Sequence, residues 1–358
     1  MDNRQKSFVG IDLFSGAGGL SLGAEMAGID VAIAIEKDKF AARTYGLNHP
    51  QTIVINTDIT NIEELSLSEE YFGREIILFG GPPCQGFSTS NRRTGNRENP
   101  QNWLYKEFIR VLKLLSPDWV LFENVTGIVE FESGSFLNTI LKDFLEAGYD
   151  CSYNILTASD YGIPQRRSRF FLIGSKKKGM KSITIPKSLD IVTVEDAIAD
   201  LPELANGASI DVLPYKKRPI SKYANCLRGE LEKSSGHLVS KNSGTVVRRY
   251  EFIGQGENWE SIPRELMSNY SDCSRCHTGI YHRLHPEKPS VVIGNYRKNM
   301  LIHPWSDRGL SVREAARLQS FPDNYVFTGS IGFQQQQVGN AVPPLLAKKV
   351  FELITEGV

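Results

Sequence analysis

The sequence has no uninterrupted apolar run approaching the roughly 18 residues that a membrane-spanning helix needs. Its start, MDNRQKSFVG, lacks the apolar core of a secretory signal. A membrane protein and an exported one are both excluded on that reading, and a cytoplasmic location is expected. Cysteine is scarce: five in 358 residues, an odd number, which argues against a disulfide framework and leaves any functional thiol reduced. Net charge is also missing, at +0, and a neutral total speaks against a nucleic-acid partner until its distribution is considered. Over 176–297 there are about 20 Lys plus Arg against about 14 Asp plus Glu, so that stretch is basic and the remainder mildly acidic. No internal repeat is present, and 334–337 is the sole low-complexity run.

What is present is a core-forming chain, 41% apolar and long enough for about two domains. Short apolar runs at 8–14, 31–36, 76–79, 119–123 and 170–174 read as buried strands, each closed by Gly, Asp, Glu or Pro. Between them, 104–115 places Leu104, Phe108, Val111, Leu112 and Leu115 on one helical face, and 136–145 repeats the pattern. Strands alternating with helices predict an α/β fold with a doubly wound, mostly parallel sheet, whose ligands sit at the carboxyl ends of the strands. After about Lys187 the alternation dissolves into Pro, Gly, Ser and charged residues. The expected division is therefore 1–189 as a catalytic domain, 190–325 as a smaller irregular domain, and 326–358 as a return to the first. Helix signals reappear at 311–319 and 345–354.

The loops at the predicted strand ends hold the unusual residues. DLFSGAGGLSLG (12–23) follows a strand and opens a helix, with Gly16, Gly18 and Gly19 allowing close backbone approach to a ligand. It is not the dinucleotide fingerprint, because Ser21 stands where the third glycine belongs. Glu36, about 20 residues on at the end of the second strand, suits a pair of ribose hydroxyls, and Asp58 suits an adenine amino group. The fourth loop, GGPPCQGFS (80–88), presents Cys84 after two prolines and between glycines, a rigid and open setting unlike a packed core. A thiol near a helix start or a cation there gains thiolate character. Glu123-Asn124-Val125 closes the next strand with a carboxyl able to protonate or hydrogen-bond a heterocycle. QRRSR (165–169) precedes another strand, and strand alternation would put Arg167 and Arg169 on one side, aimed at a base carbonyl or phosphate.

Taken in order, DLFSGAGGL, GGPPCQGFS, ENV, QRRSR and QVGNAVPP (337–344) closely resemble the motifs of the cytosine-5 DNA methyltransferases of bacterial restriction-modification type. The resemblance implies the S-adenosylmethionine-dependent methyltransferase fold with a smaller target-recognition domain, S-adenosylmethionine as cofactor, and double-stranded DNA as partner. It implies Cys84 as nucleophile on carbon 6 of cytosine, Glu123 at nitrogen 3 and Arg167 at the position-2 carbonyl, with the base flipped out of the duplex. Phe14, Gly16, Glu36, Asp58, Pro83, Asn340 and Val342 would surround the cofactor, and Asn124, Gln165 and Arg169 would meet the target base or DNA. The 311–323 motif would support the second domain. A monomer is expected, with a possible companion restriction endonuclease acting on the same site. An RNA methyltransferase built from these motifs and a silent DNA-binding subunit are the rivals. The basic middle segment favours duplex DNA over the first, and Cys84, Glu123 and Arg167 together disfavour the second. Lys216, Lys217 and Arg218 are candidate phosphate contacts. Cys273, Cys276, His282 and His285 are ligand-type residues, but their two pairs stand too close for a zinc finger and Arg275 and Arg283 crowd them, so no metal is expected.

Overall fold

The computed structural model describes residues 7–83, 103–177, 184–268, 279–294, 296–298 and 300–356. Cys84, Cys273 and Cys276 lie outside the described residues. Two compact units emerge: Met1–Thr157, Ser168–Lys187 and Val342–Val358 form the first, Ala158–Arg167 and Ser188–Ala341 the second. Packing thus groups 158–167 and 326–341 with the irregular part, where linear reading groups them with the regular one.

The first unit is built on strands β1 (Phe8–Leu13), β2 (Asp30–Ile35), β3 (Ile53–Ile55), β4 (Glu75–Gly80), β5 (Trp119–Val125), β6 (Asp150–Thr157) and β7 (Ser168–Ser175) in the order β3-β2-β1-β4-β5-β7-β6. The pairs from β3 to β5 are parallel, whereas β7 runs antiparallel to both β5 and β6. Only 158–167 separates β6 from β7, too short for the crossover of a dozen or more residues that a parallel pair requires. The two edge strands have no counterpart among the expected ones: β3 is only three residues long, and β6 leaves Tyr153 and Ile155 exposed and shows no continuous apolar run. The five expected strands are all present.

Helices α1 (Gly19–Met26), α2 (Lys39–Asn48), α3 (Leu104–Leu115), α4 (Gly127–Glu130) and α5 (Ser135–Glu146) follow in chain order. α6 (Val194–Ile198), α7 (Lys222–Arg228), α8 (Gly244–Tyr250), α9 (Val312–Leu318) and α10 (Ile331–Asn340) belong to the second unit, and α11 (Pro344–Thr355) returns to the first. The apolar stripe of α3 and that of α5 pack on the sheet, where Phe108, Phe122 and Phe144 meet edge to face at centroid distances of 5.4, 6.1 and 5.8 Å. α11 lies close on α1: a Cβ on Gly23 would stand 2.4 Å from Ala347 Cβ and 2.8 Å from Pro344 O, so no larger residue fits without displacing that helix. No helix among the described residues is long and apolar enough to cross a membrane.

The second unit owes its order to charge as well as to apolar packing. All seven residues of α9 are buried, and Ser311 and Glu314 cap its start reciprocally. From that helix Arg317 donates to Asp323 Oδ1 (2.5 Å) and Oδ2 (2.6 Å), to Asp200 Oδ1 (3.1 Å) and to Ala197 O (2.7 Å). Arg308 holds Glu314 through two bonds of 2.9 and 2.7 Å. The 311–323 motif therefore stands at the centre of this unit.

Candidate active site

Each turn at the carboxyl end of β1, β2, β4 and β5 is shaped by a specific residue. After β1 the chain takes a positive φ at Phe14 (58°) and Gly16 (55°), and open space surrounds the point where a Cβ on Gly16 would stand. Gly18, also left-handed, leads into α1, and no side chain at the N-cap takes its first N–H groups. Glu36 accepts from Gly16 N at 2.8 Å and Asp38 N at 2.7 Å, fixing the loop to the end of β2. Burial pushes the Glu36 carboxyl up, and those two amides offset part of the shift. Asp58 takes the Lys37 ammonium at 2.6 Å and caps the turn Ile59–Asn61, which together hold it down at about 2.

Two polar atoms in this region have no hydrogen-bond partner among the described residues although both are buried: Ser15 Oγ and Asp12 Oδ1. Asp12 Oδ2 takes the Ser21 hydroxyl at 2.6 Å, and Ser21 in turn takes that of Tyr45 at 2.6 Å. Burial raises the Asp12 carboxyl well above its ordinary range. Unsatisfied buried groups are costly, and a hydroxyl and a carboxyl oxygen beside an uncapped helix start fit the polar end of a ligand such as S-adenosylmethionine. Sequence reading passed over both residues. The available signal was polar side chains at the end of an otherwise apolar strand.

At the end of β4, Gly80 and Gly81 are required for different reasons. A Cβ on Gly80 would fall 2.1 Å from Leu13 O of the neighbouring strand, and one on Gly81 would fall 2.4 Å from Glu123 Oε2. The second glycine therefore makes room for the carboxylate at the end of β5. Glu123 is 8% exposed and pairs with Arg169 Nε at 3.0 Å. Burial lowers the Arg169 guanidinium, and the Glu123 charge works against that shift. Asn124 donates to Pro82 O at 3.1 Å, tying the stem of the Cys84 loop to β5. Pro83 is exposed at the head of that stem. Glu123, Arg169 and the loop stem are thus brought together within the first unit.

Gln165 and Arg167 belong elsewhere. β7 begins at Ser168, so strand alternation does not extend back to Arg167, which lies in the second unit with 1% exposure. Its Nη2 donates to Gly339 O (2.9 Å) and Asn340 O (3.4 Å). Gln165 is fully buried, donating to Leu318 O and Gln319 Oε1 and accepting from Ile293 N. Its amide is thereby engaged in the protein, and the expected base contact finds no support. Asn340 is exposed at the end of α10, and Val342 is buried where the chain re-enters the first unit. Lys216 is paired with Glu203, a solvated ion pair rather than an unclaimed phosphate contact. No group of His, Cys, Asp and Glu suited to a metal occurs among the described residues.

The type II methyltransferase M1.HphI of Haemophilus parahaemolyticus is 37% identical to this chain over 348 residues, covering 96% of it and 86% of the relative. M.DdeI of Desulfomicrobium norvegicum is 35% identical, covering 96% and 88%. A solved structure from E. coli, described as a prophage-encoded DNA modification methyltransferase, superposes with a TM-score of 0.77 at 30% identity and covers 98% of this chain and 99% of its own. The mostly parallel seven-stranded sheet is thus the S-adenosylmethionine-dependent methyltransferase fold. With the model of the C-5 cytosine-specific DNA methylases matched over residues 8–356, the chain belongs to that family.

Proposed function

We propose that this protein is a type II modification enzyme that transfers a methyl group from S-adenosylmethionine to carbon 5 of a cytosine flipped out of a specific sequence in duplex DNA, through a covalent adduct at Cys84. The observation that carries this reading is the Glu123–Arg169 pair, seated against Gly81 three residues before Cys84. The Cys84 thiolate adds to carbon 6, Glu123 holds or protonates nitrogen 3, and carbon 5 becomes nucleophilic. Arg169, as the partner of Glu123, takes the position-2 carbonyl, the role that the family resemblance gave to Arg167. S-adenosylmethionine, when bound, supplies an electrophilic methyl group. Carbon 5 takes that methyl group with release of S-adenosylhomocysteine, and loss of the carbon 5 proton to solvent with expulsion of the Cys84 thiolate restores the base and the enzyme. Phe14, Gly16, Glu36, Asp58, Pro83, Asn340 and Val342 form the proposed cofactor contacts, and Ser15 and Asp12 join them on the strength of their unpartnered oxygens. The basic stretch within the second unit serves target recognition, and the enzyme acts as a monomer beside an endonuclease of the same specificity. Bisulfite sequencing of DNA from a host expressing the protein tests the whole reading: protected cytosines should fall in one sequence context, and uniform conversion, with methyl groups found on RNA instead, overturns it.

Two substitutions separate the subsites. Glu36→Ala should weaken S-adenosylmethionine binding by about 1–3 kcal/mol, the worth of a charge-assisted hydrogen bond, and calorimetry showing an unchanged Kd rejects the ribose assignment. Gly81→Ala should displace the Glu123 carboxylate, which Arg169 holds and which cannot simply swing aside. A displacement of about 1 Å at the reacting groups costs on the order of 10²-fold in kcat. Cofactor binding should survive, and an alanine enzyme with wild-type kcat refutes the role given to Glu123.

A further inference from the structure

Two buried polar side chains of the second unit, Gln319 and Arg167, hold the main chain around Asn340, and a third, Gln165, bonds to Gln319: Gln165 and Gln319 are fully buried and Arg167 is 1% exposed. Gln319 donates to Val338 O (2.7 Å) and Ala341 O (3.3 Å), and its Oε1 accepts from Gln165 Nε2 at 2.7 Å. Arg167 donates to the two carbonyls between them, Gly339 O and Asn340 O, and reaches Ile293 O at 3.5 Å. Gln165 Oε1 takes Ile293 N at 2.8 Å, so the same stretch is gripped from both sides. A Cβ on Gly339 would fall 2.1 Å from Gly294 O, which shows how closely the end of α10 is pressed on that stretch.

The last carbonyls of a helix are orphans that water or a glycine turn ordinarily satisfies. Here four consecutive ones, from Val338 to Ala341, each receive a side-chain donor. Burying two amides and a guanidinium for this purpose is costly, and the segment they hold carries one exposed polar side chain, Asn340. We infer that Gln165, Gln319 and Arg167 form a clamp of positioning residues that sets Asn340 for the cofactor. This rests on the reading of Asn340 as a cofactor contact given above.

The test is a double-mutant cycle on the full chain, measuring the Kd of S-adenosylmethionine by calorimetry without DNA for wild type, Gln319→Met, Asn340→Ala and the double variant. Each single change should raise Kd about tenfold, and the double should be no weaker than Asn340→Ala alone, since the clamp acts through that side chain. Losses that multiply, to about a hundredfold, make the glutamines structural only and overturn the proposal. If Asn340→Ala weakens binding and Gln319→Met does not, the clamp alone fails. If Asn340→Ala binds as wild type, the cofactor reading of that residue fails and the clamp with it. Arg167→Lys carries the same cycle where Gln319→Met does not give folded protein by circular dichroism.

Discussion

Cys84→Ser should bind S-adenosylmethionine as wild type does and transfer no measurable methyl group. A serine hydroxyl is un-ionised at neutral pH and a weaker nucleophile than a partly ionised thiol, so carbon 6 is not attacked and carbon 5 is not activated. The loss should be on the order of 10⁴-fold or more, about 5 kcal/mol of barrier. Transfer of tritiated methyl groups to DNA reads the rate and calorimetry reads the cofactor. Substantial turnover by the serine enzyme excludes Cys84 as nucleophile. DNA carrying 5-fluorocytosine at the target should trap the wild-type enzyme covalently and leave the variant free, because fluorine cannot depart as a proton does.

The largest stability effect is expected at Arg317. In Arg317→Met the side-chain volume is nearly kept, but the buried carboxylates Asp200 and Asp323 lose their shared cation and keep only the longer contacts to Arg228 (3.5 Å) and Arg313 (3.7 Å). Fully stranding a buried charge costs about 3–5 kcal/mol; with these weaker partners left, the loss should approach the lower end, still a large part of the 5–15 kcal/mol typical of a folded protein. Thermal unfolding should show the second unit melting well before wild type. A midpoint within a degree or so of wild type would mean that the network contributes nothing net. Acid acts on the same region. Burial holds His237 and His303 down at about 4, so the unfolded chain binds protons that the folded one refuses, and stability falls as pH drops from about 6.5 towards 4. Burial works to raise Glu314, but Arg308, His303 and the Ser311 amide outweigh it and hold the carboxyl at about 2. Stability from that group is present above about 4.5 and is lost as pH falls towards 2. The unfolding midpoint should therefore decline in steps below neutrality.

Legibility in the sequence followed burial. α3 spans Leu104–Leu115 as its apolar stripe predicts, since one face of that helix is buried and the other is not. β6 escaped notice because an edge strand shows no apolar run. The cofactor loop, Glu36 and the ENV acid stand at strand ends as expected, because glycines, prolines and acids at such places have few other uses in a parallel sheet. Distinguishing Arg167 from Arg169 was beyond any motif. Their fates part at Ser168, where β7 begins, and only tertiary packing decides that one guanidinium meets Glu123 and the other meets helix carbonyls. Gln165 misled for the same reason, since an amide suited to a base edge is equally suited to a buried main chain.

The packing of α11 on α1 has a meaning for how the protein is made. The helix that follows the first Gly-rich loop is covered by Pro344–Thr355, residues far along the sequence from it. On the ribosome, where folding proceeds from the amino end, the nascent first unit holds its sheet but keeps one face of α1 bare until Pro344–Thr355 emerges. The Gly-rich loop is thus braced only once both segments exist, so a chain stopped before Pro344 should lack the support that the first unit gives that loop.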